Sequence, residues 1–166
     1  MVVMMPLPDR KIALQKDAGI SLRAIRQIKK LNVPGFLNTF NELKKARPEL
    51  FVGVENGADT FDCVAPSRQA RTSSVFTKDG RVNISNAPHK NEFFPIEKDC
   101  TCYTCRNYTR AYLCHLFRAK EMVASTLATI HNQHFIVGLV DQMRLSIEDG
   151  TFFDFKAQFM ARYYGK

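Results

Sequence analysis

No run of about 18 apolar residues occurs in this chain, so no segment reads as a membrane-spanning helix. The opening Met1-Val-Val-Met-Met5 is too short for a secretory apolar core and is stopped by Pro6, so no leader is expected. Negative charge is also scarce, with 16 Asp/Glu against 24 Lys/Arg. Residues 1–50 hold 10 Lys/Arg and 4 Asp/Glu, whereas 51–166 hold 14 and 12, so the net +8 divides into +6 and +2. A basic stretch favours a polyanion such as RNA, although the same count is common on solvated helix faces. Reduced thiols and a cytoplasmic location are the expectation for such a chain.

Three of the five cysteines, Cys100, Cys102 and Cys105, fall within six residues, and His131 follows 26 positions after the last of them. Three thiolates and one imidazole make a tetrahedral structural Zn²⁺ set, with soft sulfur selecting zinc and no coordination position left open for catalysis. The alternatives are a cluster of reduced thiols on a loop or a disulfide between two of them. Clustering this tight suits a metal better than either.

Apolar residues at three-residue steps in Ser21–Leu31, with cations between them, predict a short amphipathic helix that Asn32-Val-Pro-Gly35 breaks. A second short helix fits 36–46, with Phe36, Phe40 and Leu43 inward. Two basic helices across a turn suggest a DNA-binding motif, but nothing marks a recognition helix, so DNA is not expected and a packing appendage is the better reading. From Pro48 a short helix leads to a strand, Thr60-Phe-Asp-Cys-Val64, with Asp62 near its C-terminal end. By itself Asp62 reads as a salt-bridged or capping carboxylate, and Arg68 and Arg71 read as a solvated loop. Val75–Ile84 carries a hairpin signal in which Asp79-Gly80 supplies a left-handed turn. A helix is expected from after Cys105 to about Lys120. A longer one follows through Leu127, Ile130, Phe135, Leu139, Met143 and Ile147, with His131 on its apolar stripe, and a last amphipathic helix carries Phe152, Phe155, Phe159 and Tyr163.

The wording from Asp99 to Leu113, then His115–Glu121 and Thr129-Ile-His-Asn132, resembles the zinc-binding C-terminal part of the tRNA-guanine transglycosylases. The resemblance runs from near Phe51 to the C-terminus and does not cover the first 47 or so residues. Within it, Cys100, Cys102, Cys105 and His131 match the family's zinc ligands, Phe61-Asp-Cys-Val64 matches its active-site strand with Asp62 on the nucleophile, and Arg68 and Arg71 match arginines that contact tRNA. The fold this implies is α/β, a (β/α)₈ TIM-type barrel with a zinc-binding subdomain of hairpin and helices. A barrel needs about 250 residues, so 166 residues supply only its C-terminal part and the barrel is incomplete. The expected division is a basic segment 1–47 outside the resemblance, a last barrel unit 48–72, and the zinc subdomain with C-terminal helices 73–166. No Gly-x-Gly turn stands where the family's base pocket would place one; Leu43-Lys-Lys-Ala-Arg47 is there instead.

Two readings follow. One is the C-terminal portion of a tRNA-modifying pentosyltransferase that exchanges guanine for a queuine-type deazaguanine at the anticodon wobble position, inactive when isolated. The other is a non-catalytic, zinc-stabilised module that binds tRNA or a partner chain. The expected partners are tRNA and a second chain, as a homodimer or heteromer, with no membrane and no DNA.

Overall fold

The computed structural model describes residues 2–4, 49–55 and 60–165. The two helices expected between Ser21 and Ala46, and the segment 1–47 as a unit, lie outside the described residues. Two compact units result, one of Cys63–Leu139 with Ala161–Lys166, the other of Val2–Asp62 with Val140–Met160. Among the described residues helices dominate, accompanied by two small two-stranded sheets. No helix is long and apolar enough to cross a membrane among the described residues.

The second unit contains β1 (Val2–Met4), α1 (Glu49–Glu55) and β2 (Thr60–Asp62). β1 and β2 pair antiparallel, Val2 opposite Asp62. Barrel strands pair in parallel, and no parallel pair occurs among the described residues. Buried Phe51 holds this unit together, with its ring 6.0, 5.7 and 5.3 Å from those of Phe152, Phe155 and Phe159. The apolar spacing of the last helix therefore serves a core. Glu55 and Lys156 add an ion pair at 2.5 Å.

In the first unit, α2 (Ala65–Arg71) occupies the stretch that the sequence presents as a loop. Pro66 in the first helical turn explains the difference, because its fixed φ favours helix and its missing N–H is not needed there. β3 (Ser74–Thr77) and β4 (Gly80–Asn83) form the expected hairpin, with Thr77 opposite Gly80. Its turn differs in detail. Of the two residues only Gly80 takes the left-handed region, at φ 107°, so it follows a two-residue Lys78-Asp79 loop as the first residue of β4 rather than forming the second half of the turn.

A single helix was expected up to Lys120, but two are present: α3 (Tyr103–Asn107) and α4 (Arg110–Arg118). The break has a local cause. Thr109 is extended and its hydroxyl accepts the Tyr112 N–H at 3.2 Å, a helix cap. The amides of Arg110 and Ala111 donate to the carbonyls of Phe94 and Glu92 at 2.8 and 3.0 Å, so α4 starts on bonds from a distant loop. The long helix α5 (Met122–Glu148) buries Ala124, Leu127, Ala128, His131 and Asn132, a three-and-four repeat on one face. That face closes the core of the first unit with Val75, Ile84, Ile96, Leu113 and Cys114. Gly150, at φ 72°, stops α5. Its N–H donates to Ile147 and that of Thr151 to Ser146, the paired carbonyl capping of a Schellman end. Helix α6 (Phe152–Tyr164) follows.

Candidate metal centre

Cys100 leaves an irregular loop, its N–H donating to the Glu97 carbonyl at 3.3 Å. Cys102 is the N-cap of α3, accepting the Cys105 N–H on its sulfur at 3.3 Å, and Cys105 sits in the first turn. The thiols thus converge because a loop hands over to a helix within six residues. Thr104, fully buried between them, donates its hydroxyl to the Leu127 carbonyl at 2.7 Å and fixes α3 against α5. One turn further along α5, His131 is likewise fully buried.

The four ligand atoms lie within 4.8 Å of one another. His131 Nδ1 is 3.7, 3.6 and 3.3 Å from the sulfurs of Cys100, Cys102 and Cys105. Bonds of about 2.3 Å to sulfur and about 2.0 Å to nitrogen at a tetrahedral zinc place the two donors about 3.5 Å apart. The imidazole is also oriented for the tautomer that a metal requires. Its Nε2 is 2.8 Å from the Phe76 carbonyl oxygen, which only accepts, so Nε2 carries a hydrogen and Nδ1 is the nitrogen that faces the thiols and would bind a metal on losing its own proton. Three of the four ligands are buried and Cys100 is half-buried. The residues fit a closed, four-coordinate ion.

Asn132, beside the ligand, carries a signal that the sequence did not yield. It is fully buried; its Oδ1 accepts the Phe76 N–H at 2.9 Å, and its Nδ2 donates to the carbonyls of Pro66 and Ser74 at 3.1 and 3.0 Å. His131 and Asn132 therefore hold both polar groups of Phe76, and Asn132 also ties in the start of α2. Asn132→Leu removes all three bonds and leaves three backbone groups unmet at about 1–3 kcal/mol each. A denaturant melt is expected to show a loss of at least about 3 kcal/mol; less than about 1 kcal/mol would contradict this bracing role.

Without a metal, the donors share protons. The Cys105 hydrogen bond pulls the Cys102 thiol down to about 3 against burial, and the same contact, aided by burial, pushes Cys105 up. Burial opposes charge on His131, yet its contacts with Cys100 and Cys102 and with the Phe76 carbonyl raise it to about 9. Depressed Cys102 contributes stability that is lost as pH falls through about 3, and raised His131 contributes stability that is lost as pH rises through about 9. From 6.5, the ordinary histidine value, to about 9 the two trends cancel. Melts of the chelated chain are expected to show a plateau over that interval, with a loss below it as Cys102 is protonated and a loss above it because the raised Cys105 thiol resists the ionisation that the unfolded chain undergoes. A maximum below pH of about 5 would contradict it.

Residues 46–165 match the family model for queuine tRNA-ribosyltransferase. The chain belongs to the queuine tRNA-ribosyltransferase family. Proteins of that name from Caldanaerobacter subterraneus subsp. tengcongensis, Helicobacter acinonychis and Dehalococcoides mccartyi strain BAV1 are 46%, 47% and 51% identical to it over 117, 131 and 118 residues. Those alignments cover 70%, 73% and 71% of this chain and 31%, 35% and 30% of the relatives. The chain thus spans about a third of the length of the curated relatives that it matches.

The other candidate residues lie on different elements. Asp62 ends β2 in the second unit. Arg68 and Arg71 lie on α2 in the first unit, three positions apart and exposed. Cys114 is fully buried, with its sulfur 3.7 Å from the Asn86 carbonyl, as a packing residue. His115 and His134 are exposed, and His89 pairs with Glu92 at 2.6 Å. None of these histidines, nor Cys63, belongs to the metal group.

Proposed function

We propose that this chain is the zinc-binding, C-terminal portion of a tRNA-guanine transglycosylase, the pentosyltransferase that replaces guanine by a queuine-type base at the anticodon wobble position. The observation that carries the reading is the closed three-sulfur, one-nitrogen group, its imidazole set by the Phe76 carbonyl, inside a segment that matches the queuine tRNA-ribosyltransferase family. Soft sulfur donors and tetrahedral spacing favour zinc, and a closed set gives the ion a structural role. In this reading the segment 48–72 contributes the last unit of a (β/α)₈ barrel, 73–166 forms the zinc subdomain, and the protein works in the cytoplasm as a dimer or heteromer.

The residues then divide the chemistry as follows. The Asp62 carboxylate attacks the ribose anomeric carbon, the glycosidic C–N bond breaks, and a C–O ester to Asp62 forms while guanine leaves with a proton from a second acid. The incoming base, deprotonated by that same group, displaces the carboxylate and restores it. An anionic oxygen suits this because the transition state is oxocarbenium-like. Arg68 and Arg71, on one face of α2, hold RNA phosphates through their planar forks. Binding of unmodified tRNA to the purified chain, followed at several salt concentrations, tests the reading. Arg68→Ala/Arg71→Ala is expected to weaken binding by about tenfold or more at low salt, with Asp62→Asn unchanged. Binding equal to the unmutated chain in the double variant would overturn the RNA assignment.

A further inference from the structure

The stretch from Cys63 to Asn91 holds five Lys/Arg, Arg68, Arg71, Lys78, Arg81 and Lys90, against the single acid Asp79. That acid is engaged by Arg162 on α6 at 2.7 Å. Arg81 on β4 donates from one guanidinium nitrogen to the Gln69 side-chain carbonyl at 3.1 Å, and Gln69 lies on α2 between Arg68 and Arg71. From the end of α2 the contacts continue. The Ser73 hydroxyl lies 3.1 Å from that of Ser85, and the Ser85 carbonyl accepts two bonds from Arg118 at 3.2 and 3.0 Å.

Arg81 and Arg118 are thus tethered to neighbours of the α2 pair by neutral oxygens. A neutral partner orders a guanidinium without cancelling its charge, and each arginine keeps further N–H donors for a second acceptor. Among the described residues no ion pair engages Arg68, Arg71, Arg81 or Arg118. All four are exposed.

We propose that Arg81 and Arg118 extend the arginine pair of α2 into one phosphodiester-binding strip across the hairpin to the end of α4, taking the RNA backbone beyond the nucleotides that Arg68 and Arg71 hold. The proposal rests on the RNA reading of that pair. Each arginine that neutralises a phosphate releases counterions, so each lost contact flattens the plot of log affinity against log salt by about 0.7 to 0.9.

The test is titration of unmodified tRNA with the metal-loaded 166-residue chain over a salt series. Arg81→Gln, at an exposed position whose guanidinium hydrogen-bonds Gln69, is expected to weaken binding roughly three- to tenfold at low salt and to lower the slope by about one contact. Arg81→Gln/Arg118→Gln is expected to lower it by about two, and Arg118→Lys, which keeps the charge, to preserve it. Unchanged slopes in both glutamine variants, with binding still lost in Arg68→Ala/Arg71→Ala, would overturn the strip and leave the α2 assignment standing. Binding that responds to neither pair, or no salt-dependent binding by the unmutated chain, would overturn both.

Discussion

Cys102→Ala is expected to release the metal and unfold the first unit. The residue does two things at once: its sulfur is one of four candidate ligand atoms, and it accepts the Cys105 N–H as the cap of α3. Without it, Cys105 and His131 remain buried with their charges uncompensated, and breaking such a buried set costs about 3–5 kcal/mol. Losing the cap adds about 1 kcal/mol. Against a total stability of about 5–15 kcal/mol, most of the margin disappears. Cys114→Ala is the control, since Cys114 is equally buried but lies outside the donor group. It is expected to keep the metal and lose about 1 kcal/mol. Thermal melts of the two variants, with metal content measured on the same samples, compare them directly. Equal melting and equal metal in both would contradict the ligand role of Cys102.

Guanine exchange by the isolated 166 residues is expected to be undetectable. Asp62 supplies a carboxylate, but the family resemblance puts the second proton-transfer group and the base-recognition residues upstream of the matched segment. Each such element contributes about 10²–10⁴-fold, so lacking both leaves a rate about 10⁴–10⁸-fold below that of a complete site. Incorporation of labelled guanine into unmodified tRNA measures it. Turnover that vanishes in Asp62→Asn would contradict the expectation and would show that the 166 residues assemble a working site.

That these four side chains come together was legible because rare residue types are concentrated at close spacing in Cys100–Cys105, and because those three thiols made His131 on the stripe of α5 more than an ordinary core histidine. The hairpin was legible from its alternation and glycine, although the backbone gives the left-handed φ to Gly80 and not to Asp79, with Gly80 already the first residue of β4. What the sequence hid is what depends on distant partners. The break at Thr109 is completed by carbonyls of Glu92 and Phe94, which spacing along α4 does not reveal. The bracing role of Asn132 has no local mark, because its acceptors and donor lie 56 to 66 positions away. The helical form of Ala65–Arg71 was obscured by its proline, which breaks a helix in the interior but favours one at the start.

The central claim, that a single structural zinc holds the Cys100, Cys102, Cys105 and His131 group, is tested most directly by elemental analysis of the chain purified without chelator. The account predicts about one zinc per chain, bound tightly enough to survive gel filtration. Less than about half an equivalent of zinc, with no other metal in its place, would contradict it.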